Sequence, residues 1–119
     1  MTKPQTGKYD LEVRTLEFGK RIIHLCEALP KNTINFSLID QIMRSGTSPG
    51  ANYREANETQ TKKDFCFRIR ICRKEAKETL YWLDLIIEAN PTFKDRITPL
   101  KQETRELVKI FASIAEKSK

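Results

Sequence analysis

Glycine and proline are scarce in this chain, at four and five among 119 residues. That leaves too few turn formers for the frequent reversals of an all-β fold. No apolar run approaches the roughly 20 residues that a membrane-spanning helix requires. Residues 1–9 are polar and lack the apolar stretch of a secretory signal, so a cytoplasmic location is expected, with no membrane partner. Only three cysteines occur, Cys26, Cys66 and Cys72, with no C-x-x-C pair. In a cytoplasmic chain an odd set of this kind reads as small buried apolar side chains rather than disulfides or zinc ligands. The single histidine, His24, has no cysteine or serine arrangement beside it for nucleophilic catalysis. The Glu-x-x-His repeats of di-iron bundles are missing, and Glu75-x-x-Glu78 alone is an ordinary charged helix surface. No Gly-rich loop resembles a nucleotide-binding fingerprint. These absences argue against an enzyme, a metal centre, a cofactor or a small-molecule substrate.

What is present is helical periodicity. Hydrophobic residues make up 39% and charged residues 32% of the chain, a balance that fits a folded domain rather than a disordered one. The length suits a single domain over residues 1–119. A first helix is expected over 10–29, where Leu11, Thr15, Phe18, Ile22, Leu25 and Leu29 recur at spacings of four and three and Pro30 follows. A second stripe through Leu16, Gly19, Ile23 and Cys26 is either an intersubunit contact or part of one wide core-facing surface. The second helix is expected over 33–58, carrying Leu38, Ile39, Ile42 and Met43. Pro49 lies within it, costing about 3 kcal/mol in a helix interior, and Gly46 and Gly50 weaken it further. The expectation is a kink near Pro49, with Ser45 or Ser48 satisfying freed backbone groups, and a full break as the alternative.

The third helix, over 62–89, has the clearest seam: Phe65, Ile69, Cys72, Ala76, Leu80, Leu83 and Ile87. Phe67, Ile71, Trp82 and Leu85 flank it. Asn90-Pro91 ends it, asparagine being tolerant of the left-handed conformation. A fourth helix is expected over 98–116, with Thr98 as cap and Pro99 at its first position. Its seam is Leu100, Thr104, Leu107, Phe111 and Ile114, and residues 117–119 are expected to fray. Short connectors and near-heptad spacing point to an all-α, antiparallel, up-down, left-handed four-helix bundle. Leu16, Ile23, Phe67, Ile71, Trp82 and Leu85 are then the candidates for an oligomer interface.

The charge is uneven. The chain carries a formal +6 with a pI near 9.3. Residues 60–79 hold seven basic side chains, Lys62, Lys63, Arg68, Arg70, Arg73, Lys74 and Lys77, against three acidic ones, whereas residues 10–29 are slightly acidic. Arg70, Arg73, Lys74 and Lys77 share one helical face, with Lys63 two turns earlier on the same side. Such a stripe binds polyanions such as RNA or DNA through their phosphates, without reading bases. The competing reading is a solvated face neutralised within its own helix by Glu75 and Glu78.

The segment Arg44-Ser-Gly-Thr-Ser48-Pro-Gly-Ala-Asn52-Tyr-Arg-Glu55-Ala56 resembles the signature of a bacterial family. Its members are four-helix bundle proteins encoded in intervening sequences of 23S rRNA genes and often labelled as a ribosomal protein. Arg44, Ser48, Asn52, Glu55 and Ala56 match the pattern, and the likeness runs from Tyr9 to about Ile114. Pro49 departs from it in part, since the place of proline varies in the family. The resemblance implies a bundle that assembles into rings, typically homopentamers. Relatives in diversity-generating retroelements, the accessory variability determinants, are basic pentameric barrels that associate with nucleic acid and reverse transcriptase. By spacing alone, Arg44, Ser48, Asn52 and Glu55 lie on one stripe. That stripe is either a ligand or RNA contact, or a hydrogen-bonded network that fixes packing or oligomer register. Two functions stand at this point: a non-enzymatic oligomer that binds RNA or DNA through its third helix, or a scaffold that binds only protein.

Overall fold

The computed structural model describes residues 8–119; the polar segment 1–7 lies outside the described residues. Four helices follow one another: α1 (Lys8–Ala28), α2 (Thr33–Asn57), α3 (Lys62–Ala89) and α4 (Lys94–Lys117), with a 3-10 turn at Pro91–Phe93 leading into the last. Among the described residues there is no strand. Connectors of a few residues force each helix to reverse on its predecessor, which makes the arrangement antiparallel and up-down. The α3 helix packs along both α2 and α4, while α1 lies mainly on α2 and meets α4 more sparsely.

Local chemistry sets most boundaries. Asn32 caps α2, its side chain accepting from the Asn35 backbone N–H at 2.9 Å, and Thr61 caps α3 by accepting from Asp64 N–H at 3.0 Å. The start of the fourth helix differs from the sequence expectation of 98–116. Pro91 occupies the first position of the 3-10 turn, and the chain passes directly into helix at Lys94. Thr98 is therefore interior, donating to the Lys94 carbonyl at 2.8 Å, and Pro99 lies within the helix. The described part of α1 likewise begins two residues before the expected 10–29. Asn90 is not left-handed, with φ −138°. Instead its buried amide pairs reciprocally with that of Asn35, both N–H···O distances being 2.9 Å, and this pair joins the end of α3 to the start of α2.

One core draws on all four helices. The expected α1 seam is buried along its whole length, from Leu11 to Leu29. Ile42 and Tyr53 of α2, Ile69, Cys72 and Leu83 of α3, and Ile97, Leu107 and Phe111 of α4 complete the interior. Burial pushes the Cys26 thiol up to about 11 and the Cys72 thiol up to about 12, so neither is a nucleophile at neutral pH. Among the described residues the cysteines are free and no cluster suits a metal ion. No helix among them is long and apolar enough to cross a membrane. The sparse α1–α4 side is closed by Arg14, which donates to both carboxylate oxygens of Glu103 at 2.7 and 2.9 Å and to Glu106 at 2.8 Å. This bidentate fork raises the Arg14 pKa above its ordinary value.

The middle of α2 is continuous through Pro49, so the alternative of a full break is not realised. The serines also act elsewhere than expected. The Ser45 hydroxyl lies 2.9 Å from that of Thr79, and the Ser48 hydroxyl accepts from the Asn52 amide at 2.9 Å. The glycines have a steric role. A Cβ on Gly46 would stand 2.8 Å from Cγ1 of Ile22, and one on Gly50 would stand 3.2 Å from the Thr15 hydroxyl. The missing side chains thus let α1 seat closely on α2.

Gly46→Ala should lower the urea midpoint, because overpacking against buried Ile22 costs about 1–3 kcal/mol against a helix-propensity gain of about 1 kcal/mol. Gly19→Ala, where a Cβ meets nothing within 4 Å, should keep that gain and raise the midpoint. Equal shifts in the two variants would contradict the close α1–α2 seating.

Candidate nucleic-acid interface

Two sets of side chains identified in the sequence lie on different flanks of α3, one facing α2 and the other reaching toward the end of α4. The first is the polar stripe of α2. Arg44 reaches across to α3, donating to Glu75 at 3.2 Å and ion-pairing with Glu78, and it holds Gln41 of its own helix at 3.2 Å. Glu75 is nearly buried, which makes a cationic partner necessary for its charge. Glu78 also accepts from the Trp82 indole N–H at 2.9 Å. About two turns further along, Asn52 accepts from Arg68 of α3 at 2.9 Å while donating to Ser48. Arg44, Ser48 and Asn52 therefore belong to two hydrogen-bonded clusters along one inter-helix seam. Glu55 does not: it is exposed, and its side chain makes no hydrogen bond or ion pair among the described residues. Glu55 keeps its place on the stripe by spacing, yet no cation of α3 pairs with it.

The second set is the basic face of α3. Lys62, Lys63, Arg70, Arg73, Lys74 and Lys77 are all exposed. Arg68 is the exception, half-buried and bound to Asn52, so it is a packing residue rather than part of the open face. Self-neutralisation along α3 is slight: Arg44 holds Glu75 and Glu78, and neither acid is three or four residues from Arg70, Arg73 or Lys77. Lys74 alone lies close enough to Glu78 to act on its charge. Lys62, Lys63, Arg70, Arg73 and Lys77 have no acidic partner among the described residues.

Toward the start of α3 this face opens into a groove of about 540 Å³ against the end of α4, lined by Lys62, Lys63, Cys66, Phe67, Arg70, Ser118 and Lys119. Arg70 and Lys119 also line an adjoining depression of about 400 Å³ that includes Arg73. Lys119 belongs to the segment expected to fray, and no sequence signal placed it here. Its position follows from the antiparallel α3–α4 pairing, which sets the end of one helix beside the start of the other. Of the interface candidates, Leu16, Ile23 and Phe67 are exposed, whereas Ile71, Trp82 and Leu85 are half-buried, with Trp82 packed on the core. His24 is exposed beside Glu27 at 3.3 Å.

The Trp82 N–H, followed by the Arg44 guanidinium, holds the Glu78 carboxyl below its ordinary value of 4.5. Glu106 is lowered likewise by the Gln102 amide and then by Arg14. Folding thus binds these groups as carboxylates, and their contribution is complete above the unfolded pKa and lost as pH falls through the lower folded one. Stability to urea should hold from neutral pH down to about 4.5 and decline below it. Glu78→Gln should flatten part of that decline and remove the acid titration of Trp82 emission. An unchanged slope would show that the Glu78 contacts do not persist in solution.

No curated protein matches the chain. It is similar to the crystal structure of a protein of unknown function from the S23 ribosomal protein family of Bacteroides thetaiotaomicron. The two are 36% identical with a TM-score of 0.84, over 92% of this chain and 97% of that one. The family model described as 23S rRNA-intervening sequence protein matches residues 9–113. With the α2 motif and all but the outermost residues of α1 and α4 inside that span, the chain belongs to the 23S rRNA-intervening sequence protein family.

Proposed function

We propose that this protein is a non-enzymatic, ring-forming cytoplasmic bundle that binds RNA or DNA through the exposed cations of α3, without reading sequence. One observation carries the reading. Arg70, Arg73 and Lys77 are exposed and none has an acidic partner among the described residues, so they present their charge to solvent. Cations left open in this way attract phosphates by releasing the counterions condensed on a nucleic acid. Repetition of the face around a homopentamer, the assembly implied by the family resemblance, would multiply the effect into a continuous positive band.

A second reading, a scaffold that binds only protein, has its own support. Leu16 and Ile23, 48% and 40% exposed, flank Gly19 in an apolar groove of about 260 Å³ between α1 and α2. Apolar side chains grouped in a concave site are what a partner chain covers, and a second copy of this chain fits both readings.

Light scattering with random RNA at two salt concentrations separates them. A ring-sized mass that grows with RNA and reverts in salt is the expected result. Arg70→Glu with Arg73→Glu should weaken RNA binding and reduce the salt slope by about 1.4 per chain for a single strand. A ring indifferent to RNA would favour the scaffold, and a monomer would remove the basis for the band.

A further inference from the structure

We propose that the groove between the start of α3 and the end of α4 takes an unpaired strand of nucleic acid, with Phe67 stacking on a base and the surrounding cations holding the phosphates. This rests on the polyanion reading above and adds the form of the ligand.

Phe67 is the anomaly from which the inference starts. Its neighbours on α3 have structural work: Phe65 packs against the core and Cys66 is buried, its thiol 3.8 Å from the Ala115 carbonyl. Phe67 is 61% exposed, so most of the ~1.5–3 kcal/mol that burial of such a ring contributes is unrealised. Lys63 is four residues before it and Arg70 three after, which sets both cations on its own helical stripe. Lys62 and Lys119 complete the rim, and every charged side chain lining the groove is basic. Only Lys119 has an acidic partner, Glu116 at 3.1 Å.

This combination restricts the occupant. An apolar protein segment seated on Phe67 would strip water from Lys62, Lys63 and Arg70 without supplying a counter-charge, which is costly. A second copy of the same face would oppose cation to cation. The ligand must therefore bring a flat apolar surface and negative charge spaced along a chain. Nucleotides do both, but in a duplex the base faces are stacked on one another and unreachable from a helix surface, whereas a single strand offers each face to an aromatic ring. The groove continues through Arg70 and Lys119 into the depression beside Arg73, where Glu116 is the one acidic side chain of the lining and is paired with Lys119, which leaves Arg70 and Arg73 for the adjoining phosphates. Ser118 is its only neutral polar side chain, so tolerance of base identity is expected.

The test is fluorescence anisotropy with one labelled mixed-sequence RNA, alone and annealed to its complement. Wild type should prefer the unannealed strand. Phe67→Ala should weaken that strand by about 5- to 150-fold, the range for loss of one stacked base, with an unchanged salt slope and unchanged duplex affinity. Phe67→Trp should retain binding. Arg70→Glu with Arg73→Glu should weaken both forms and flatten both slopes. If Phe67→Ala leaves the strand preference intact while the charge reversals still weaken binding, the stacking proposal fails and the polyanion reading survives. If wild type binds neither form, the polyanion reading fails first. A change of mass in Phe67→Ala by light scattering would overturn the proposal in favour of a contact between copies of the chain.

Discussion

The guanidinium of Arg44 ties α2 to α3 through Glu75 and Glu78, and the polar side of that interface is built around this pair of contacts. Glu75 is nearly buried, and a carboxylate taken out of water is tolerated only beside a cation that answers it. Of the cations on α3 only Lys74, four residues before Glu78, is spaced to share these acids with Arg44. Arg70, Arg73 and Lys77 lie on another flank of α3, out of step with both acids, and remain open. The contact of Arg44 with Glu78 also orders Trp82, whose indole N–H shares the Glu78 carboxylate.

The middle of α2 serves two neighbours at once. Toward α3 it presents Arg44, Ser48 and Asn52, which form the hydrogen-bonded side of the interface. Toward α1 it presents Gly46 and Gly50, and the absence of side chains there lets Ile22 and Thr15 come close. A run of small and polar residues that looks weak as isolated helix is held by packing on both flanks, since tertiary contact rather than propensity supplies most helical stability in proteins. Pro49 is accommodated in the same way: it is buried, and its carbonyl lies 3.4 Å from the Cys72 sulfur.

Legibility in the sequence divides along the same line. The α1 seam and the bounds of α3 were readable because they depend on local periodicity and on polar caps such as Thr61. The start of α4 was misread because two prolines compete as first-turn residues, and the one at position 91 prevails by way of a 3-10 turn. The Asn35–Asn90 pair was not legible at all, as the two amides are 55 residues apart and each alone looks like an ordinary end-of-helix asparagine. Of the basic residues, spacing placed Arg70, Arg73 and Lys77 correctly on one exposed face. It could not separate Arg68, because only the neighbouring helix shows which cation meets Asn52.

By itself, then, the sequence determined that the chain is helical, how many helices it forms and which faces they bury, because hydrophobic periodicity and caps act within a few turns. It also determined the total positive charge and its concentration in residues 60–79. Only the tertiary structure decided which of those charges remain open, which polar residues close the α2–α3 contact, and that Phe67 and Lys119 border one groove. The physical reason is that hydrogen bonds and ion pairs are short-ranged and saturable, so each outcome depends on which helix lies opposite.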